Sequence, residues 1–306
     1  MRRNDIVHFG LMLTALAAAY LLPFELLLLS YAILGPAHYF TEISWLHDRG
    51  YYLPHRGLAA AIVGIAFGAM FVATPYWSGV LLWSLFAGCA ILATATDPRR
   101  IMLFGVLAAA LTLALIAADD VPFAIVGVLL PTFVHVCIFT LVFMMLGAVR
   151  ANSPVQLALV GLYLAALLVI VIVPPWAGTV IPALARIGRE NFGSVAPALG
   201  SLIGMPDLEF GGRITGLLSF VYTYHYLNWF IKADVIRWAA IPLPRLIGIA
   251  LVSAASTALY FYNYDIGIVV LLAVSLAHVL LEFPLNALSM RDLGRMALRT
   301  TKPAAA

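Results

Sequence analysis

Apolar segments long enough to cross a lipid bilayer follow one another along almost the whole chain. A membrane-spanning helix needs about 20 predominantly apolar residues, and segments of that kind alternate here with short charged or proline-marked joints. With 64% hydrophobic and 10% charged residues among 306, the chain has more apolar side chain than a water-soluble domain of this length can bury. The sequence therefore predicts an all-α, polytopic membrane helix bundle, organised as a single transmembrane domain over residues 1–306.

The distribution of basic residues predicts the topology, because Lys and Arg concentrate in the cytoplasmic joints of membrane proteins. Ten spans are predicted, near residues 6–21, 24–46, 57–75, 78–95, 101–118, 122–149, 155–174, 213–232, 243–262 and 266–288. With the N-terminus inside, all of the 17 basic residues except Arg186, Arg189 and Arg213 fall on the cytoplasmic side. We therefore expect both termini to be cytoplasmic, in a multi-pass protein of the inner (plasma) membrane.

One long connection, residues 175–212, separates the seventh and eighth predicted spans on the outer face. It mixes apolar residues such as Trp176 and Phe192 with charged ones, which is typical of an amphipathic helix at the membrane interface or of a lid. A plain surface loop fits the segment equally well, and both interpretations stay open.

Charge and cysteine content exclude two classes of function. The net charge of +3 is too small and too scattered for a nucleic-acid-binding surface. The two cysteines, Cys89 and Cys137, lie inside apolar segments and not in paired outer loops. A disulfide framework or a thiolate metal cluster is therefore not expected, and we interpret both cysteines as packing residues.

Four histidines lie well inside four predicted spans, where ionisable side chains are costly and mark candidate functional sites. They are His38, His135, His225 and His278. Each follows the outer end of its span by 12 to 14 residues, a depth of about 18 to 21 Å at the rise of an α-helix. A shared depth on separate helices favours one common metal site, provided that the four helices converge.

Three further polar residues accompany these histidines. Glu42 and Glu282 each follow a histidine by four residues, and Asn228 follows His225 by three, which places each on the same helix face as its histidine. Neutral imidazoles bind metal ions, while neighbouring acids and amides orient the rings or complete the coordination. We predict catalytic or supporting roles for Glu42 and Glu282, with Asn228 binding a water molecule or a ring nitrogen.

Imidazole ligands without thiolates suit iron, copper, zinc or nickel. Iron is our preferred interpretation, because a site in the bilayer is open to lipid-soluble substrates and oxygen, and four histidines leave one or two positions for dioxygen. The expected partners are a membrane lipid or isoprenoid substrate and the bilayer itself. Nearby aromatic residues could line a pocket for a long apolar chain: Tyr39, Phe40, Phe133, Phe139, Tyr222, Tyr224, Tyr226, Trp229 and Phe283.

The histidine segments resemble those of a known membrane family. The segments are LGPAHYFTE at 34–42, PTFVHV at 131–136, YTYHYLNWF at 222–230 and LAHVLLEF at 276–283. In order and spacing they are similar to the four histidine segments of the Brp/Blh family, membrane dioxygenases that cleave β-carotene to retinal. The resemblance implies carotenoid cleavage at a histidine-bound metal, with His38–Glu42 and His278–Glu282 echoing the family's histidine–acid pairs.

The chain also departs from that family's pattern. Tyr39 and Val136 follow two of the histidines, where the family has His-Gly pairs, and His225 with Asn228 stands where the family has paired histidines. The chain is also predicted to have more spans than the family. Another oxidation of a membrane lipid therefore fits the residues as well as carotenoid cleavage does.

Other functions remain open beside a metal-dependent membrane oxidoreductase or oxygenase acting on a lipid-like, isoprenoid or carotenoid substrate. A proton or divalent-metal transporter would use the same histidines and carboxylates as a relay, although a relay should spread over depth. A noncatalytic assembly factor would use the histidines as hydrogen-bond partners between helices. Haem held by two of the histidines is a further alternative, whereas the clustered histidine boxes of di-iron desaturases are absent from the sequence.

Overall fold

A computed structural model of the chain describes residues 3–72, 74–117, 127, 130–176, 179–195, 197, 208–232 and 241–300. Within these residues every regular element is helical, which confirms the predicted all-α class. The α-helices are α1 (Arg3–Leu21), α2 (Pro23–Leu29), α3 (Gly35–Asp48), α4 (Arg56–Val72), α5 (Pro75–Thr94), α6 (Pro98–Ala117), α7 (Leu130–Val134), α8 (Thr140–Ala151), α9 (Pro154–Ile172), α10 (Pro182–Phe192), α11 (Leu208–Ile231), α12 (Leu243–Tyr262) and α13 (Tyr264–Thr300).

Seven helices in the described part of the chain are long and apolar enough to cross a membrane. They are Pro23–Asp48, Tyr76–Thr94, Pro98–Ala117, Pro131–Ala151, Pro154–Ile172, Leu243–Tyr262 and Tyr264–Leu298. Two more apolar helices, Asp5–Leu21 and Arg56–Phe71, are shorter. Helices of this kind are those of a membrane protein, whereas the ten spans and the cytoplasmic termini stay predictions.

The predicted eighth span, residues 213–232, corresponds to α11, which is not among the seven apolar helices. The polar side chains of its second half, including His225 and Asn228 among several tyrosines, lower its mean hydropathy. Most of the described side chains of α11 are nevertheless buried by protein. A helix that is shielded by its neighbours can carry polar groups that a lipid-facing helix cannot.

The chain divides into two compact units. The first comprises Met1–His38 and Val136–Gly267, and the second comprises Tyr39–His135 and Ile268–Ala306. In the first unit α11 packs against α1, α2 and α9. The face of α1 towards this core carries Met12, Ala15 and Ala19, all buried. Small residues such as the two alanines allow close approach of helices in membranes.

Two π-helical turns interrupt the helices of the first unit or lie at its boundary, at Ser30–Leu34 and His135–Phe139. The first precedes Pro36, which has no N–H to donate to the carbonyl of Ala32 four residues earlier. The hydroxyl of Thr257 donates to that carbonyl at 2.8 Å. A hydrogen bond from α12 thus stabilises the distorted turn immediately before His38.

The second unit has a core shared by α4, α5 and α13. Buried side chains from the three helices form it: Ile62, Ala66, Leu82, Phe86, Cys89, Leu276, Val279 and Leu280. Phe283 packs against Phe86 with ring centroids 5.1 Å apart. Cys89 is a free, buried member of this core, which confirms it as a packing residue. Cys137 is likewise free and buried.

The predicted outer loop or lid, residues 175–212, is described except for residues 177–178, 196 and 198–207. Its helix α10 packs against α2 and buries Ala185, Gly188 and Phe192 while its charged residues remain exposed. The backbone N–H of Ile181 donates to Glu25 Oε1 at 3.3 Å. A carboxylate at this end of α10 is favourable, because the N-terminus of a helix carries partial positive charge.

Candidate functional site

All four predicted histidines are buried, two in each unit. The exposed fractions of His38 and His225, in the first unit, are 0% and 8%, and those of His135 and His278, in the second, are 1% and 2%. An imidazole that is removed from solvent needs partners for both ring nitrogens. The surroundings of each histidine therefore decide what its ring nitrogens can bind.

In the first unit His38 and His225 face each other through their Nε2 atoms, which lie 3.1 Å apart. In an isolated pair one Nε2 carries the proton and donates to the other. The separation also suits two ligands of one ion, since nitrogens at about 2.1 Å from a metal lie about 3.0 Å apart in octahedral and about 3.4 Å apart in tetrahedral coordination. The same geometry thus serves a hydrogen bond or a metal.

The other ring nitrogen of His225 is held by α8. Its Nδ1 lies 2.7 Å from the hydroxyl oxygen of Thr140, and the contact is buried. A partner at Nδ1 fixes the orientation of the imidazole and leaves Nε2, on the other edge of the ring, for a second partner. Thr140 follows directly after the π-helical turn His135–Phe139, which gives that turn a role in placing the hydroxyl.

Aromatic rings surround His38 within the first unit. Tyr226 and Trp229 lie with their ring centroids 4.9 Å and 5.4 Å from that of His38. Both rings come from α11. The helix that supplies His225 therefore also encloses His38. These rings restrict the rotation of the His38 side chain and keep water from it.

In the second unit His135 contacts a carboxylate. Its Nδ1 lies 2.8 Å from Glu282 Oε2, and both side chains are almost completely buried. The ring centroids of His135 and His278 are 5.1 Å apart and nearly perpendicular. A carboxylate at Nδ1 orients the imidazole and leaves Nε2 for a ligand, which is the usual support for a metal-binding histidine.

His278 is flanked on its other side by Tyr39. The two rings are stacked, with centroids 4.3 Å apart and planes inclined by 23°. Stacking on a tyrosine fixes the plane of the imidazole without using either ring nitrogen. His278 therefore has a defined orientation beside His135.

The supporting residues that the sequence predicts are all buried. Glu282, which follows His278 by four residues on the same helix, also contacts His135 of another segment. Glu42 is 1% and Asn228 6% exposed. By contrast His47, which lies outside the four-histidine group, has a half-exposed side chain beside Asp48.

Sequence reasoning missed three buried polar residues. Thr140 supports His225, and Glu25 contacts the start of α10, but no spacing in the sequence links either residue to its partner. Asn286 could have been found, because it continues the four-residue interval from His278 through Glu282. It is completely buried on α13.

No family model, curated protein or solved structure matches this chain. The structure has a group of buried histidines that could bind a metal ion in an apolar helical protein.

Proposed function

We propose that the chain is an integral membrane metalloenzyme in which His38, His135, His225 and His278 bind one non-haem iron ion. One repeated observation carries the proposal. In each unit a histidine has a buried polar side chain next to its Nδ1, Thr140 at 2.7 Å in one case and Glu282 at 2.8 Å in the other, and a second histidine lies beside it. Histidines supported in this way at Nδ1 are typical metal ligands through Nε2.

Chain connectivity supports a single site. His38 is followed on α3 by Tyr39, whose ring stacks on His278. The four histidines also share one predicted depth, 12 to 14 residues from the outer ends of their spans. One ion with ligands from both histidine pairs is the simplest arrangement that uses these two features.

The proposed reaction is oxidative cleavage of a carbon–carbon double bond in an isoprenoid or carotenoid. Dioxygen contributes one oxygen atom to each of two carbonyl products, so the reaction balances without an external reductant. Bound iron would supply the activation of dioxygen. The resemblance to the Brp/Blh family and the apolar surroundings of the histidines support this substrate class.

The chain's own residues have separate roles in this proposal. Glu282 orients His135, and Thr140 orients His225. The rings of Tyr226 and Trp229 exclude water from His38. Glu42 and Asn228 also orient other groups in the site. Glu42 does so through its carboxylate, and Asn228 through a water molecule.

The test is an activity assay with purified, iron-loaded protein in detergent or nanodiscs. β-Carotene, shorter polyisoprenoids and unsaturated lipids are offered under oxygen, and carbonyl products are identified by mass spectrometry together with oxygen uptake. We expect one dioxygen consumed per bond cleaved. His135→Ala and His278→Ala should abolish the product, and His55→Ala should retain it, since His55 is an exposed histidine outside the site.

Folded, iron-loaded protein that oxidises none of these substrates would contradict the proposal. Saturable flux of protons or divalent metal ions in proteoliposomes, abolished by His135→Ala, would then support the transporter in its place. Both measurements use the same protein preparation, so a failure of folding is recognised in each by size-exclusion chromatography.

A further inference from the structure

Helix α13 carries a buried polar face within the second unit. Its members recur at intervals of three and four residues: Ser275, His278, Glu282, Asn286 and Ser289. At about 100° per residue these five side chains share an arc of about 80°. The apolar residues Leu276 and Leu280 lie about 120° and 160° from the middle of this arc, in the core with α4 and α5. We refer to the five residues as the polar face of α13.

Asn286 is the member of this face that most requires a ligand. Its side chain is 0% exposed, and neither the amide nitrogen nor the amide oxygen has a hydrogen-bond partner among the residues that the structure describes. Buried amides in proteins are satisfied by protein groups or by water. Because an amide offers two donor hydrogens and an acceptor oxygen, Asn286 can bind water molecules on both sides along the helix.

The polar face connects the interior with a charged end of the helix. Eleven residues, or about 16 Å of helix, separate His278 from Ser289. The next residue, Met290, is half exposed, and Arg291 and Asp292 form an ion pair whose side chains are 35% and 37% exposed. The face therefore extends from a buried histidine to the part of α13 that reaches the aqueous side.

We propose that the polar face of α13 binds a file of water molecules between the His135–Glu282 contact and the aqueous side at Arg291. Asn286 is the central binding residue, and the hydroxyl of Ser289 binds water between Asn286 and Arg291. The intervals of three and four residues, about 4.5 to 6 Å along the axis, are lengths that one or two water molecules bridge. Water thus reaches the buried carboxylate of Glu282 along one helix and not through the lipid.

This inference concerns only residues of the second unit and does not require a bound metal. A dry polar face, in which the same groups serve only as hydrogen-bond partners of other helices, is the alternative. The two differ in one measurable property, since a cysteine on a hydrated face forms a thiolate and reacts, whereas a cysteine in a dry core does not.

The experiment is cysteine accessibility in membrane vesicles of both orientations. In a background carrying Cys89→Ala and Cys137→Ala, single Ser275→Cys, Asn286→Cys and Ser289→Cys variants are treated with 2-aminoethyl methanethiosulfonate, a small cation. Leu276→Cys and Leu280→Cys are the matched controls, because both positions are equally buried on the apolar side of the same helix. The serine variants change a single atom, so at least two positions on the face retain the fold.

We expect labelling from the side of Arg291, fastest at residue 289, with residue 286 reacting at least about tenfold faster than residues 276 and 280. Equal, slow labelling of both faces from either side would overturn the proposal. Labelling needs no metal, so absence of the proposed iron would leave the result unchanged. Conversely, a dry polar face would leave the metal content of the protein unchanged.

Discussion

The geometry of His225 shows how single side chains decide what the site can bind. Its Nδ1 faces Thr140 at 2.7 Å and its Nε2 faces His38 at 3.1 Å. The hydroxyl is both donor and acceptor, so it can hold the ring in either tautomer. When it accepts from Nδ1–H, the lone pair of Nε2 is left for a metal.

Replacing Thr140 with Val should weaken metal binding without disturbing the packing. Valine has nearly the same shape but no hydroxyl, and loss of such supporting contacts lowers metal affinity about 10- to 100-fold. Competition with a calibrated chelator measures the affinity. Thr140→Ser keeps the hydroxyl and should remain within a few-fold of the wild type. Unchanged affinity in the valine variant would remove Thr140 from the site.

At the scale of helices and turns, the distortions next to the histidines have identifiable causes. Pro36 deprives the Ala32 carbonyl of its helical donor, and the hydroxyl of Thr257 replaces that donor. The second π-helical turn has a similar support, because the hydroxyl of Tyr163 donates to the carbonyl of Cys137 at 3.3 Å. Short π-helical turns of this kind are often found at functional sites.

Thr257→Val should destabilise the protein by about 1 kcal/mol, the upper range for a hydrogen bond between membrane helices. The reason is that the Ala32 carbonyl would be left without a donor. Thermal unfolding in detergent measures the change. Ser256→Ala is the matched control, since the Ser256 hydroxyl bonds to the Val252 carbonyl of its own helix. Equal melting temperatures for the two variants would show that Thr257 does not stabilise the turn.

The docking of α10 on α2 depends on a glycine. A Cβ at Gly188 would lie 2.6 Å from the carbonyl oxygen of Phe24. Gly188→Ala should therefore displace α10, lower stability by about 1–3 kcal/mol and speed tryptic cleavage after Arg186 and Arg189. Gly161→Ala, where nothing lies within 4 Å of the added carbon, should be neutral or stabilising. Identical cleavage rates in both variants would contradict the proposed docking.

At the scale of the whole molecule, the helical class and the burial of the histidines could be predicted from the sequence. Continuous apolar segments permit only helices of membrane type here, and a histidine at the centre of such a segment has to be buried. The ends of the spans and the polar character of α11 could not be predicted as well. Helix α11 is enclosed by α1, α2 and α9, and this enclosure, which hydropathy does not reveal, permits its polar residues.

The contacts between residues far apart in the chain could not be predicted in the same way. Glu282 shares a helix face with His278, yet its short contact is with His135. The intervals within one helix indicate which side chains point in one direction, but not which neighbouring helix they meet. Asn286 is the exception, because it extends an interval that the sequence already displays.

Metal stoichiometry tests the central claim most directly. The wild type, purified in detergent, and the four variants His38→Ala, His135→Ala, His225→Ala and His278→Ala are analysed for iron and other transition metals beside His55→Ala. We predict one iron ion per chain in the wild type and in the His55→Ala control, and its loss in variants of both histidine pairs while the fold survives. A folded wild type without metal, or metal loss confined to one pair, would contradict a single four-histidine site.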